Sequence, residues 1–445
     1  MNDFYWGTAT SAFQIEGAAN LDGRTPSIWD TYTLEEGKIL NHDDGRKGID
    51  HYHLFKTDLK YLKELGVNSY RFSISWSRII PNADGKINEK GMAFYERILQ
   101  ELAQYQVRPF ITFYHWDLPM WLQDMGGWTN RNTAFAFADF VAVITQRFKQ
   151  YCHDYITINE PQCIINLGHK TLEHAPGIFL EDKEAVISVH NLLLAHGLAV
   201  QAIRKIDREA KIGFAATSSP AIPIDDNEKN IDVARRCYFS LTKGHFDQVT
   251  LYSDPIFLGD YPKEFYDYYQ SYLPATLKED LVIISSPIDY CYQNIYSGYF
   301  VKANEDEGYK ILPYSEENPA YVFTWLHQMP KTLYYGPKFL YERYQKPIII
   351  SENGISVIDV LTQDHKIHDY ARIEYYRRYL EQMEKAQKDG IPIKGYFAWS
   401  LFDNFEWAFG YSARFGLIYV DYQSMKRYPK DSFYFYQKYI ADHQE

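Results

Sequence analysis

Cysteine is scarce and scattered in this chain, with Cys152, Cys163, Cys237 and Cys291 the only four in 445 residues. None has a partner at metal-ligand spacing, and they form no dense disulfide framework. They read as reduced thiols, which makes a cytoplasmic location the expectation. Long apolar runs are missing too. No stretch approaches transmembrane length, so no membrane association is expected. Residues 1–13, MNDFYWGTATSAF, lack the basic start and apolar core of a leader peptide. Positive charge is short as well: 46 Lys and Arg stand against 58 Asp and Glu, a net charge of −12. Such a balance disfavours a nucleic-acid partner, and the dispersed acidic excess serves solubility. There is no Pro/Gly/Ser-rich linker, low-complexity tract or repeat of solenoid period, so residues 1–445 read as one domain.

Aromatic residues, in contrast, are abundant: 40 Tyr, 27 Phe and 9 Trp. Many must be core, but rings also stack on the C–H faces of sugars, and composition does not separate the two uses. Strand-like runs at 4–10, 69–76, 108–115, 154–159, 211–217, 287–296, 347–352 and 394–401 alternate with helical patterns. Phe55, Leu59 and Leu62 form one apolar stripe; Met92, Tyr95, Leu99 and Leu102 form another. Val189, Leu193, His196, Val200 and Ile203 make a third, and Ile373, Tyr376, Leu380 and Met383 a fourth, with Gly390 as a stop signal. Eight strands with helices between them predict an α/β fold, a closed (β/α)8 TIM barrel with loop insertions at its C-terminal face. A doubly wound open sheet competes, but no glycine-rich phosphate loop follows the first strand.

A barrel of this kind builds its active site where strands end. Gln14, Arg71, His115, Glu160, Tyr296, Glu352 and Glu406 all fall at or near such ends. Glu160 closes the run YITINEP and Glu352 the run IIISENG, each beside an asparagine. Two carboxylates brought to one cleft are the requirement of glycoside cleavage: one protonates the leaving oxygen and one attacks the anomeric carbon. They must differ in environment, one protonated and one ionised near neutral pH. Arg71 and Tyr296 are candidates to keep a carboxylate ionised through charge and hydrogen bonding. Asn159 is placed to donate to a sugar hydroxyl.

Six segments then appear in order: FYWGTATSAFQIEG at 4–17, RFSISWSRI at 71–79, FYHWDLP at 113–119, TINEP at 157–161, SENG at 351–354 and WSLFDNFEWAFGYSARFGLIYVD at 399–421. Together they resemble glycoside hydrolase family 1, the retaining β-glucosidases and their relatives, over essentially the whole length. The resemblance implies Glu160 as general acid/base and Glu352 as nucleophile. It implies that Gln14, His115, Asn159, Tyr296, Glu406 and Trp407 hold the sugar, with Trp399 as the platform beneath it. Arg71, Asn294 and Tyr296 are implied to orient the nucleophile. No metal or organic cofactor is implied, and the partner is a small β-glycoside or oligosaccharide.

The expected activity is hydrolysis of terminal unphosphorylated β-D-glucosides, with galactosides or fucosides as further substrates. The 6-phospho-β-glycosidase branch of the family carries Ser where this chain has Glu406, and a carboxylate there repels a phosphate. Transglycosylation, in which a sugar replaces water, is an alternative within the class. Outside it stand a carbohydrate-binding protein without turnover and a metal-dependent hydrolase.

The chain also departs from the family pattern at His169, Leu172, Tyr292, Asn294-Ile295-Tyr296, Trp325 and Phe409, changes expected to gather at the cleft mouth and bear on the aglycone. His51 and His53 look like half a metal site without a partner, and structural roles are expected for them. His196 is expected in the core, and residues 225–230 are expected as a solvated loop. Trp116 and Trp121 stand evenly between packing and cleft lining.

Overall fold

In the computed structural model, which describes residues 4–304 and 308–444, eight parallel strands close a barrel in chain order. They are β1 (Tyr5–Ala9), β2 (Ser69–Ser73), β3 (Arg108–Tyr114), β4 (Asp154–Asn159), β5 (Lys211–Thr217), β6 (Tyr290–Asn294), β7 (Ile348–Asn353) and β8 (Ile393–Trp399). Each lies within three residues of its expected bounds at either end. Met1–Asp3, part of the segment read against a leader peptide, lie outside the described residues. The strands are buried on both faces, the burial that helices packed outside a parallel barrel impose.

The expected helical stripes face that barrel. Met92, Tyr95, Leu99 and Leu102 are buried on the helix Glu89–Gln104, and Val189, Leu193, His196, Val200 and Ile203 on Asp182–Ile206. His196 is a core residue, its Nδ1 2.7 Å from the Thr157 hydroxyl. On Tyr370–Lys388 the stripe is less strict, since Ile373 is only partly buried while Tyr375 and Tyr379 join Tyr376 inside. The chain leaves that helix through Gly390 at φ +90°, a left-handed backbone that glycine adopts without strain.

Three expectations are corrected here. The helix Asp182–Ile206 is, at 25 residues, long and apolar enough to cross a membrane by length and composition. Most of it is instead buried against the helices Asn132–Phe148 and Leu277–Ile284, and alternating buried polar residues such as Ser188 and Asn191 hid the run from a reading of the sequence. Residues 225–230 are not simply a loop. The Asn227 side chain accepts the N–H of Lys229 and starts the helix Glu228–Tyr238, with Glu228 favourably placed in its first turn. Tyr292, finally, lies inside the barrel and not at its mouth. It is fully buried against Gly213, where an added Cβ would come within 2.0 Å of the tyrosine ring. Bulk on β6 is accommodated by its absence on β5.

The long segment after β8 is fixed from below by buried charge. Asp403 accepts from Lys430 at 2.7 Å and Arg414 at 2.6 Å, and Asp359 accepts from Lys430 at 2.6 Å and Arg372 at 2.8 Å. Every oxygen of these two carboxylates is engaged, the condition under which buried charge is tolerated. The network anchors the loop that carries Glu406 and Trp407 over the barrel. His51 belongs to a similar arrangement lower down, where it shares Asp58 with Arg427; His53 contacts Asp50 at the surface.

Candidate active site

Glu352 near the end of β7 meets Arg71 from β2 across the barrel. One guanidinium ties four strands: Nη1 donates to Glu352 Oε1 at 2.6 Å and to the Ser351 carbonyl at 3.1 Å, Nη2 to Asn159 Oδ1 at 2.6 Å and Nε to the Thr112 hydroxyl at 3.0 Å. Tyr296 donates its hydroxyl to the other oxygen of Glu352 at 2.6 Å. The Tyr296 carbonyl is itself held by the hydroxyls of Tyr375 and Tyr379. Both oxygens of Glu352 are thus pinned by donors set on rigid elements.

Glu160 follows β4 directly. Its backbone is left-handed at φ +44°, a costly conformation for a residue other than glycine, and Trp116 at φ +77° and Trp407 at φ +49° share that strain. The turn is locked because Glu160 N donates to the Ala215 carbonyl at 2.7 Å, and Pro161 then begins a short helix, Pro161–Ile165. The carboxyl faces Asn294 and Cys163, and among the described residues no cation is bonded to it.

Asn294 touches both acids. From the sequence it was expected to orient the nucleophile, and its amide also donates to Glu160 Oε1 at 2.7 Å and to Asn159 Oδ1 at 3.1 Å. It also helps hold Glu352 ionised by hydrogen bonding, so the expected role stands beside the contact with Glu160. β6 pairs with both β5 and β7, so a side chain at its end stands between the two acids.

The two glutamates line one cavity of about 440 Å³, together with Glu406, His115, Trp399, Trp407 and Tyr296. Glu160, Glu352 and Glu406 face one another there above the Arg71 guanidinium, and Glu173 and Asp247 also line the cavity. Burial and the neighbouring Glu352 charge push Glu160 up to about 7, against the pull of Asn294, Cys163 and Arg71. Burial likewise raises Glu352, opposed by the charge of Arg71 and by hydrogen bonds from Tyr296, Arg71 and Asn294. Glu406 is pushed up to about 8 by burial and by the other two acids. The proton is therefore held away from Glu352, the one acid with a cation against it.

His115 is neutral, since burial and the Arg71 charge hold it well below the usual imidazole range. Its Nε2 faces the Asn159 amide at 3.3 Å, so the network assigns the hydrogen to Nδ1, which has no partner among the described residues. His115 stacks on Trp399 with centroids 5.8 Å apart, and Trp407 packs among His115, Trp116 and Trp29. Trp116 lines the cavity, whereas Trp121 does not and donates to the Ile80 carbonyl. Gln14 is fully enclosed: its amide donates to Asn404 Oδ1 at 3.1 Å and the Phe405 carbonyl at 2.8 Å, and its oxygen accepts from Ser11. It braces the loop bearing Glu406 and does not itself line the cavity.

Other lining residues escaped the sequence reading: Cys163, Asn166, Glu173, Asp247 and Ser218 among them. Most sit on irregular loops without a periodic pattern. Phe409, Trp325 and Phe323 form an aromatic wall at the mouth, with Phe323 to Phe409 at 4.5 Å and Phe323 to Trp325 at 5.4 Å. Two of the departures from the family pattern, Phe409 and Trp325, therefore do gather there. His169 lines a separate small void, and Leu172 holds φ +65° in a position where glycine is more usual.

Two expected results follow from this geometry. Replacing Arg71 with Met leaves Glu352 buried without its cation, a loss costing about 3–5 kcal/mol of stability. The melting temperature falls, and kcat drops about 100-fold or more as the carboxylate loses its position. Replacing Glu160 with Gln has the opposite effect on stability. A carboxyl whose pKa is raised on folding is stabilising in its protonated form below the unfolded value, and that contribution is lost as pH rises through about 7. The variant does not titrate, so thermal unfolding shows it gaining on the parent between pH 4.5 and 8, by about 1–3 kcal/mol at the upper end.

Comparison with known proteins agrees with this arrangement. The family description "Glycosyl hydrolase family 1" matches residues 1–445. The chain is 40% identical to a β-glucosidase A of Thermotoga maritima over 99% of its own length and 97% of that protein. It is 39% identical to a bifunctional β-D-glucosidase/β-D-fucosidase of Bifidobacterium breve, over 99% and 98% of the two chains. The solved structure of the family 1 β-glucosidase from Thermotoga maritima in complex with isofagomine lactam superposes with a TM-score of 0.90 at 39% identity, covering 99% of this chain and 98% of that one.

Proposed function

The chain belongs to glycosyl hydrolase family 1, and we propose that it hydrolyses terminal, unphosphorylated β-D-glucosides by double displacement at Glu352 and Glu160. β-Fucosides and β-galactosides are the further sugars it accepts. The observation that carries the assignment is the asymmetry of the two acids. Arg71 and Tyr296 both bind Glu352, and neither binds Glu160, although both acids line one cavity.

Glu352 attacks the anomeric carbon while Glu160 gives its proton to the leaving oxygen. The covalent ester is then opened by water, whose proton returns to Glu160. His115 Nδ1–H has no protein partner among the described residues and suits a sugar hydroxyl, with Asn159 behind it holding the imidazole through Nε2. Trp399 offers a face for the ring. Glu406 accepts from hydroxyls and disfavours a phosphate.

A panel of aryl β-glycosides that vary only in the sugar, including 6-phosphoglucoside, tests the substrate. Glucoside is expected to lead, and 6-phosphoglucoside to be turned over at least about 100-fold more slowly. Proton NMR of the first-released sugar tests the mechanism: the β-anomer must precede the α. An α-anomer appearing first rejects double displacement.

A further inference from the structure

Glu160 has a donor on each carboxyl oxygen, and the two donors differ in freedom. Asn294 Nδ2 reaches Oε1 at 2.7 Å, and the Cys163 thiol reaches Oε2 with the sulfur 3.3 Å away. Asn294 cannot turn, because its oxygen accepts the Ser351 hydroxyl at 2.6 Å while its amide also binds Asn159. Oε1 therefore always accepts an N–H, which favours it as the carbonyl-type oxygen when the group carries its proton. The thiol rotates about its Cβ–S bond, and sulfur accepts as readily as it weakly donates. Cys163 stands three residues after Glu160, on the helix that Pro161 begins, which returns its side chain beneath that carboxyl. It also lines the catalytic cavity, whereas Cys152, Cys237 and Cys291 are buried elsewhere.

We propose that the transferable proton of Glu160 sits on Oε2 and that Cys163 is a positioning residue for it. The S–H donates to Oε2 when the carboxylate is ionised and turns aside when the proton is on. This rests on the acid/base role given to Glu160 above. In the first step the Oε2–H bond breaks as the leaving oxygen gains that proton. The electron pair of the glycosidic bond stays on the leaving oxygen, and the S–H turns in to the new carboxylate. The second step reverses this with water. Cys163 changes no charge, since burial and the Glu160 and Glu352 carboxyls keep its thiol protonated. The other groups acting on the pair are Arg71 beneath the cavity and Tyr296, Glu406 and Asp247 in its lining, where neutral His115 and His174 and exposed Glu173 also stand.

The test is the pH dependence of kcat/KM on an unactivated glucoside for Cys163→Ala and Cys163→Ser, each checked by thermal unfolding. Loss of the donor in Cys163→Ala moves the alkaline limb up by roughly half a pH unit, the size a weak donor to a charged group supports. The stronger hydroxyl donor in Cys163→Ser returns the limb to the parent position or below it. The acidic limb, set by Glu352, stays in place in both. Limbs unchanged in both variants, moved in the same direction in both, or moved in the reverse order overturn the proposal. Glu160→Gln, measured on the same substrate at higher enzyme concentration, separates the two levels. Loss of its alkaline limb keeps the acid/base reading whatever the cysteine variants do, and persistence of the limb removes that reading.

Discussion

Replacing Glu352 with Gln removes turnover on every β-glucoside, whatever its leaving group. The amide keeps the size of the side chain but cannot form the glycosyl ester, so both displacements lose their shared intermediate. The loss is at least about 10⁴-fold in kcat, or about 5.5 kcal/mol in the barrier. Binding is affected far less, because the remaining cavity lining is untouched. A competitive sugar-shaped inhibitor titrated into the variant checks this: near-normal affinity with no turnover is expected. Substantial residual rate in a preparation free of the parent enzyme would move the nucleophile elsewhere. Arg71 gives the variant a second signature. With no carboxylate opposite, its buried charge is partly unpaired, and the variant is less stable than the parent despite its near-identical shape.

Replacing Glu160 with Gln divides substrates by their leaving groups. A sugar leaving group departs only with a proton, so cellobiose or an alkyl glucoside loses the full general-acid contribution, about 10²–10⁴-fold in kcat/KM. A dinitrophenolate needs no proton, and kcat/KM for its glucoside changes little. Its kcat still falls, because water attacking the glycosyl ester has lost its base. The ester then accumulates, giving a burst of phenolate followed by slow turnover. A small anion such as azide requires no deprotonation, and adding it restores kcat while diverting product to the glycosyl azide. Equal loss of kcat/KM on both substrate types, with no burst, contradicts the role of Glu160. The same variant gains stability at alkaline pH, so one substitution is expected to raise the melting temperature and lower activity together.

Strand ends and the two acids were legible in the sequence because each depends on short-range pattern. YITIN and PIIIS are runs that only a buried strand accommodates, and the glutamates follow at once. Arg71 and Tyr296 were also correctly paired with Glu352. Asn294 acts on Glu352 as expected, and its second contact, with Glu160, was not read because a side chain ending β6 has two neighbours and only register decides which it meets. Gln14 was read as a sugar ligand, but the segment after β8 closes over it and takes up its amide. That contact joins residues nearly four hundred positions apart and leaves no local trace. Tyr292 was placed at the mouth for the same reason, since its partner Gly213 lies on another strand. Cys163 had a local signal, its three-residue spacing from Glu160 across a helix start. It passed unnoticed because cysteines were weighed only as ligands and disulfides.

A glucoside with fluorine at C2 and a good leaving group most directly tests whether Glu352 carries the sugar. The fluorine slows both steps by destabilising positive charge at the anomeric carbon, while the leaving group keeps the first step fast enough to complete. Mass spectrometry of the intact protein should show one added fluorosugar, and peptide mapping should place it on Glu352. A label on Glu160 or any other residue, or an unlabelled protein that releases the α-anomer, contradicts the account.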